Sequence, residues 1–468
     1  MVVSAMGKTT DNLIKLAQQV TDEPDEREMD FLLSTGEIVS CSLLAMALKA
    51  MGHQAISLSG AQAGIKTDAV HSRARILGIE PRRITKELDR SKIVIVAGFQ
   101  GVTDKMDITT LGRGGSDTTA VALAIALGAE ICEIYTDVDG VYTADPRLVP
   151  EARWLKEIGY EEMLEMASLG SKVMHSRAVE LGELYKMPIL VASSFSNNPG
   201  TLIHGGASME AGNKVRGIAH DLNVAKVTIV GVPDKPGIAS KIFDSLAKAS
   251  ISVDTIVQNA SINKVTDLTF TVAKTDLNKA MRVIEPVVKA VKASECVSDT
   301  KLAKVSIVGA GMQSASGYAA RMFKALSEEG INIELITTSE IKITCIIDES
   351  KVTDAIRALH KAFELEKGVE PGILEGKIEA LHTACATPLG ILNREHLDHL
   401  DHLGDLLLYH PLHTTLQCHR CHGTTTAGSG QLHRNDTVAD IHQLDISTVR
   451  LQVRSYLSQG SLYLLSHF

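Results

Sequence analysis

No stretch of this sequence gathers Lys and Arg into a stripe that could neutralise a row of phosphates, and its formal net charge is −9. Nucleic acid is thereby excluded as a partner. No apolar run approaches the roughly 20 residues needed to span a bilayer. The start, Met1-Val2-Val3-Ser4-Ala5, has no charged segment leading into a signal-like apolar stretch. These absences give the expectation of a cytoplasmic protein with no membrane partner. Cysteine is sparse and odd in number, 7 in all, and Cys132 and Cys345 lie in apolar surroundings. That pattern excludes a disulfide framework and reads as reduced, buried thiols.

What remains is an ordinary globular composition, 44% hydrophobic and 22% charged. The chain of 468 residues exceeds one core, and a prior of roughly 150 residues per domain predicts about three. From Met1 to about Gly205, buried-strand runs such as Ile93-Val94-Ile95-Val96-Ala97 and Ile131-Cys132-Glu133-Ile134-Tyr135 alternate with helical patterns such as Asp117 to Leu127. Alternation of this kind marks an α/β domain with a mostly parallel sheet, bounded here at 1–206. A Gly-rich stretch follows, read as a linker over 207–222.

Beyond it the sequence repeats. Ala225-Lys226-Val227-Thr228-Ile229-Val230-Gly231 is echoed by Ala303-Lys304-Val305-Ser306-Ile307-Val308-Gly309. Each is a strand stopped by Gly, followed by a loop closing on Gly237 or Gly317 and then an amphipathic helix. Alternating segments from Ile251 and from Ile331 continue the echo. Two copies of one β-α-β-β unit are therefore placed at 223–298 and 299–368. From 369 to 468 no period is sustained, and the segment is read as an unstructured tail. Within it Cys418-His419-Arg420-Cys421-His422 matches the C-x-x-C-H haem-attachment pattern, and His396, His399, His402, His410 and His413 stand nearby. Haem attachment requires export, and the histidine spacings do not complete a zinc site, so no metal is assigned.

The chemistry lies in the first domain. In Thr109-Thr110-Leu111-Gly112-Arg113-Gly114-Gly115-Ser116-Asp117, glycines let a ligand approach the backbone. Ser116 and Asp117 fall where a helix N-terminus offers free N–H groups to an anion. Arg113 adds a planar cation suited to a carboxylate or phosphate; a plain glycine turn explains the glycines but not the Arg. A second stretch, Thr136-Asp137-Val138-Asp139-Gly140-Val141-Tyr142, follows a buried strand, the end of an open α/β sheet where ligands bind. An Asp-Gly turn is the plainer alternative there. Gly170-Ser171-Lys172 places a Lys at a helix start, within reach of a phosphate.

Together with Ser4 to Asp11, Thr35-Gly36-Glu37 and Gly98-Phe99-Gln100-Gly101, these motifs resemble the aspartate kinase branch of the amino acid kinase family, from Met1 to about Phe363. The resemblance implies an α/β/α sandwich kinase domain followed by two ACT (ferredoxin-like βαββαβ) domains. It implies transfer of the ATP γ-phosphate to the side-chain carboxylate of L-aspartate, with ATP and Mg²⁺ as cofactors, at the head of lysine, threonine and methionine biosynthesis. Carried over residue by residue, aspartate is expected against Thr10, Glu37, Arg113 and Ser116. Glu37 takes the ammonium and Arg113 a carboxylate, in a pocket lined by Lys8, Thr9, Asp11, Asn12, Leu88, Asp89, Gly114 and Gly115. ATP is expected along Ser4, Thr136, Asp137, Tyr142, Thr143, Ala144, Asp145, Pro146, Arg147, Lys172 and Val173. Lys172, Arg113 and Asp117 are the expected catalytic residues.

Similarity to the family's feedback site points to Asp234, Ala239, Ser252, Val253, Asp254 and Gln258 in the first repeat, with Asn332, Ile333, Ser339 and Glu340 in the second. Lysine, threonine or both are the implied effectors, and a homo-oligomer through the ACT domains is the implied assembly. One departure stands out. The family's opening strand and its Lys-x-Gly-Gly-(Thr/Ser)-Ser loop are not found in the sequence, which opens at a later strand. Loss of a phosphate donor can cost roughly a hundredfold, so an inactive chain that keeps only its ACT pair as an amino-acid sensor is the alternative expectation.

Overall fold

The computed structural model describes residues 1–170, 173–205, 214–259, 264–312 and 316–367, together with the backbone of Ser461–Leu465. The first half begins with β1 (Val2–Val3), α1 (Thr9–Val20) and α2 (Glu26–Ala50). Next come β2 (Ala55–Leu58), β3 (Ile65–Thr67), β4 (Ile76–Ile79), α3 (Arg82–Leu88), β5 (Ile93–Ala97), β6 (Gln100–Val102) and β7 (Ile108–Thr110). Then follow α4 (Gly115–Leu127), β8 (Ile131–Thr136), β9 (Glu157–Gly159), α5 (Tyr160–Ser168), α6 (Ser176–Tyr185), β10 (Ile189–Ser193) and β11 (Thr201–His204).

The apolar runs read as buried strands do form the central sheet. Its order is β2-β5-β1, then a strand from the far end of the chain, then β8-β10-β11-β9. All pairings are parallel except β10 with β11. Val2, Val96, Ile134 and Val191 fill one continuous core with α4, whose Ala120, Val121, Leu123 and Ala124 are buried. Burial on this scale contributes about 25 cal/mol per Å² of apolar surface. A smaller sheet, β4-β3-β6-β7, stands beside it.

Asp25 caps α2 by accepting from the amides of Arg27 and Glu28, and Lys49 sits in its last turn against the helix dipole. By length and composition alone α2 could cross a membrane, which corrects the expectation that no such run exists. Its inner face carries buried Asp30, Ser34, Glu37 and Ser40 beside Leu44 and Leu48, the pattern of a helix laid on a sheet with a polar site at one end.

The second half holds β12 (Gly217–Pro233), α7 (Ile238–Lys248), β13 (Ile256–Gln258), β14 (Val265–Val272), α8 (Leu277–Val291) and β15 (Glu295–Val308). After them come α9 (Tyr318–Glu328), β16 (Leu335–Thr338), β17 (Lys342–Asp348) and α10 (Val352–Ala362). They build one antiparallel six-stranded sheet in the order β13-β14-β12-β15-β17-β16, with the two repeats symmetric about the β12 and β15 pair. The repeats share strands. The start of β12, Gly217–Asp221, pairs with Val308–Lys304 alone, and its later part pairs with β15 on one side and β14 on the other. Residues 217–222 are therefore strand and not linker; their short apolar run sits next to glycines and gives too few alternations to be read.

The strand at the middle of the first sheet is β18 (Ser461–Leu465), parallel to both β1 and β8. Five residues of the presumed unstructured tail thus close the central sheet. A five-residue apolar run carries no period of its own, and its partners lie at the other end of the chain. The rest of 369–460, including Cys418, Cys421 and the clustered histidines, lies outside the described residues.

Candidate functional site

The residues expected to hold the substrate include some at the carboxyl ends of β1 and β5, which run side by side with Val3 opposite Ala97. The amide of Ala5, just past β1, donates to Oε1 of Glu37 at 3.2 Å. Glu37 is only 4% exposed, and its Oε2 is buried with no partner. Burial pushes its carboxyl up to about 7, against two backbone amides that pull the other way. The first turn of α1 closes over the same place. Lys8 occupies its N-cap position without a side-chain hydrogen bond, Thr9 donates to the carbonyl of Met6 at 2.7 Å, and Thr9 faces Gly36 of α2. Thr10 is half-buried, while Asp11 and Asn12 are exposed. Gly98 ends β5 so close to α4 that a Cβ there would lie 2.8 Å from Oγ of Ser116. Ala5 thus meets Glu37, and Gly98 meets Ser116, past the ends of the paired strands β1 and β5.

Arg113 projects from the turn before α4, where Gly114 has φ of 69°. A side chain at Gly114 would collide with His175, so glycine is required twice over. Arg177 straps this turn down, donating to the carbonyl of Leu111 at 2.6 Å and to that of Ala74 at 3.0 Å. Behind it the fully buried Asp30 accepts from Thr110 at 2.5 Å and from the amide of Ser72 at 3.0 Å, and pairs with His71 at 2.8 Å. Arg113 opens onto a cavity of about 780 Å³ shared with Arg73, Arg75, His175 and Arg177. Burial, then Arg177 and Arg113, hold His175 below its ordinary value, so the cationic character of the cavity comes from its arginines. Sequence reasoning missed Asp30, His175 and Arg177. Only the short His-x-Arg run after Gly170-Ser171-Lys172 hinted at the last two.

The segment expected to hold the nucleotide lies at the ends of β8 and β10. The amide of Ser194 donates to the carbonyl of Thr136 at 2.8 Å, and Thr136 donates to Asp137 at 3.1 Å. Ser196 donates to Asp139 at 2.5 Å. The Oγ of Ser194 is buried without a partner, a group that the sequence reading did not single out. Past Gly140, Tyr142 bridges Trp154, and Thr143 exchanges hydrogen bonds with the backbone of Arg153. Ala144 is buried, and Arg147 doubles back on Asp145 at 2.8 Å while staying exposed. Arg147 thereby holds the carboxyl of Asp145 below its ordinary value. Pro146 lies between them. Ser4 is half-buried at the end of β1, and Val173 packs on the main core. Lys172 lies outside the described residues.

Two anticipated residues are not brought to the site. Leu88 and Asp89 end α3, immediately before β5, and both are exposed. Glu37 and Gly98 sit past the other end of that strand, about 16 Å away at 3.3 Å per residue. Asp117 stands in the first turn of α4.

In the repeat pair, Asp234 and Ala239 flank the start of α7, and Ser252, Val253 and Asp254 lead into β13, which ends at Gln258. Asn332 and Ile333 occupy the matching segment before β16, with Ser339 and Glu340 just after it. Two cross-links tie the copies together reciprocally. Lys304 pairs with Asp254, and Lys226 pairs with Glu334 at 2.9 Å. Among the described residues no group of three or more His, Cys, Asp or Glu is placed to hold a metal ion.

Residues 1–193 match the amino acid kinase family model, and 227–286 and 305–363 match the ACT domain model. The chain is 52% identical over 368 residues to an aspartate kinase of Stutzerimonas stutzeri, covering 78% of this chain and 89% of that one. It is 51% identical over 365 residues to an aspartokinase of Geobacillus stearothermophilus, with the same coverage. Among solved structures it is similar to Escherichia coli aspartokinase III in complex with aspartate and ADP. There the TM-score is 0.63 at 27% identity, over 76% of this chain and 80% of that one. The lysine and aspartate complex of the same enzyme gives a TM-score of 0.57.

Proposed function

This chain belongs to the aspartate kinase branch of the amino acid kinase family, and on that premise we propose how its residues divide the transfer of the ATP γ-phosphoryl group to the side-chain carboxylate of L-aspartate. The product is 4-phospho-L-aspartate. Oε2 of Glu37 receives the substrate ammonium, Arg113 holds a carboxylate, and Thr10 and Ser116 complete the grip. Lys8, Thr9, Asp11, Asn12, Gly114 and Gly115 line the pocket. ATP lies along Ser4, Thr136, Asp137, Tyr142 to Arg147, Lys172 and Val173.

The acceptor carboxylate is ionised at neutral pH, so no general base is needed. The barrier is the approach of two anions, and cations and N–H groups lower it. Arg113 and Lys172 supply the charge, with Asp117 in the turn that presents the amides. Mg²⁺, when bound with ATP, would supply further positive charge at the phosphates. Lysine, threonine or both bind the repeat pair and favour an inactive arrangement, and the repeats carry the homo-oligomer. An enzyme fed by ATP and free aspartate works in the cytoplasm.

The observation that carries this reading is the buried, unpartnered Oε2 of Glu37. A lone carboxylate oxygen out of water is costly unless a ligand pairs it. The test is aspartate-dependent ADP release from Mg-ATP, with and without lysine and threonine. Wild type turns over, and Glu37→Gln loses about a hundredfold in kcat/KM for aspartate while still binding ADP. Unchanged kcat/KM in that variant would remove Glu37 from the role.

A further inference from the structure

We infer that His360, on the last helix of the second ACT unit, is a positioning residue for the nucleotide loop, which makes that helix the floor beneath the ATP site. The inference rests on the reading of Tyr142 to Arg147 as nucleotide-binding.

Loops normally run over the surface, yet Thr143 is 1% exposed and His360 2%. Their side chains meet, with Oγ1 of Thr143 at 2.9 Å from Nε2 of His360. The hydroxyl already accepts from the amide of Arg153 at 2.9 Å, which leaves its own hydrogen to donate to Nε2. Neutral imidazole with Nδ1 protonated is the tautomer that fits, and Nδ1 faces the Glu366 carboxylate at 3.8 Å. The backbone of Thr143 is committed as well. Its N–H donates to Arg153 at 2.9 Å and its carbonyl accepts from Ile218 at 2.7 Å.

Two further attachments lie along the same helix. Arg357 donates to the carbonyl of Leu148 at 2.8 Å. Ala144 and Val149 of the loop are buried in one core with Ile356, Leu359 and Phe363 of the ACT unit. A hydrogen bond inside a packed core has one geometry available, because close-packed interiors do not deform continuously. Removing the imidazole frees Thr143 and with it the residues on either side.

The experiment compares wild type with His360→Ala, His360→Gln, Arg357→Ala and the double variant Thr143→Val/His360→Ala. Each is measured for KM of ATP, KM of aspartate, kcat, thermal midpoint, and ADP affinity by calorimetry. His360→Ala is expected to raise the KM of ATP about tenfold and weaken ADP binding equally, with the KM of aspartate within about twofold of wild type. His360→Gln, which can still bond Thr143, recovers most of the loss. Arg357→Ala, an exposed position safe for folding, gives a smaller shift in the same direction. The double variant is no worse than His360→Ala alone, as coupled residues require. ADP affinity and the KM of ATP within about twofold of wild type in both His360→Ala and Arg357→Ala would overturn the inference, as would equal rises in the two KM values. The calorimetric arm needs no turnover, so it separates this inference from a failure of the kinase reading itself.

Discussion

Oε1 of Glu37 accepts from the amide of Ala5 at 3.2 Å, and Oε2 is buried with no partner. Burial places its titration at about 7 in place of its ordinary 4.5. Only the ionised form pairs with an ammonium. Aspartate binding should therefore weaken as pH falls below about 7, the KM rising about tenfold per pH unit. Glu37→Gln should flatten that profile, and binding near pH 7 should release a proton, detectable by calorimetry in two buffers. The folding sign is the opposite of a salt-bridged acid's. The folded state holds the proton more tightly than the unfolded one, so this contribution is complete below about 4.5 and is lost as pH rises through 7. Relieving it at pH 8 should stabilise ligand-free Glu37→Gln by up to about 3 kcal/mol. A wild-type KM for aspartate that is level between pH 6 and 8 would sink the assignment.

Asp30 is the strut beneath the Arg113 turn. Thr110, His71 and the amide of Ser72 all converge on it from other elements. Asp30→Ala leaves three polar partners without an acceptor in a buried place, which costs about 3 kcal/mol or more. Urea unfolding should show the midpoint falling by that equivalent with little change in slope. Asp30→Asn, which keeps an acceptor, should fall by less; equal losses in the two variants would show that the acceptor is not what matters.

Strands that are apolar along their whole length, such as Ile93 to Ala97, were legible in the sequence because burial on both faces leaves an unmistakable run. Glu37, Arg113 and Ser116 stood out as candidates because their motifs are local. Asp30, Arg177 and His360 did not. Each acts on a partner far along the chain, and nothing in the neighbouring residues marks a lone Asp, Arg or His as bonded. Gly217–Asp221 was misread for a related reason, since it pairs with Val308–Lys304 of the second repeat while preceding the first repeat in sequence. Leu88 and Asp89 are near Gly98 in sequence, but a strand points the two ends of that segment in opposite directions.

The reciprocal pairs of the ACT units are unequal. The Lys304 side chain is 8% exposed and that of Lys226 is 21% exposed. Losing the acid opposite the more buried cation leaves a worse uncompensated charge. Asp254→Ala should therefore lower the thermal midpoint more than Glu334→Ala, by several degrees against one or two for a roughly 1–2 kcal/mol difference. The reverse order would mean that exposure of the acids governs the pairs, since the Asp254 side chain is 58% exposed and that of Glu334 38%.

The strand β18 has a parallel neighbour on each side, with Leu464 opposite Val2 in β1 and Ile134 in β8. Every amide of a central strand is used by one neighbour or the other, which is why proline is confined to edges and bulges. Leu464→Pro removes one donor and leaves its acceptor buried, a loss of about 2–3 kcal/mol. The substitution should lower the midpoint of the kinase half, followed by loss of ADP binding on heating. The ACT sheet shares no strand with β18 and should keep its own transition. Should both transitions stay where they are in the wild type, the centre of the kinase sheet is not held by this strand in solution, and β1 and β8 must find their partner elsewhere.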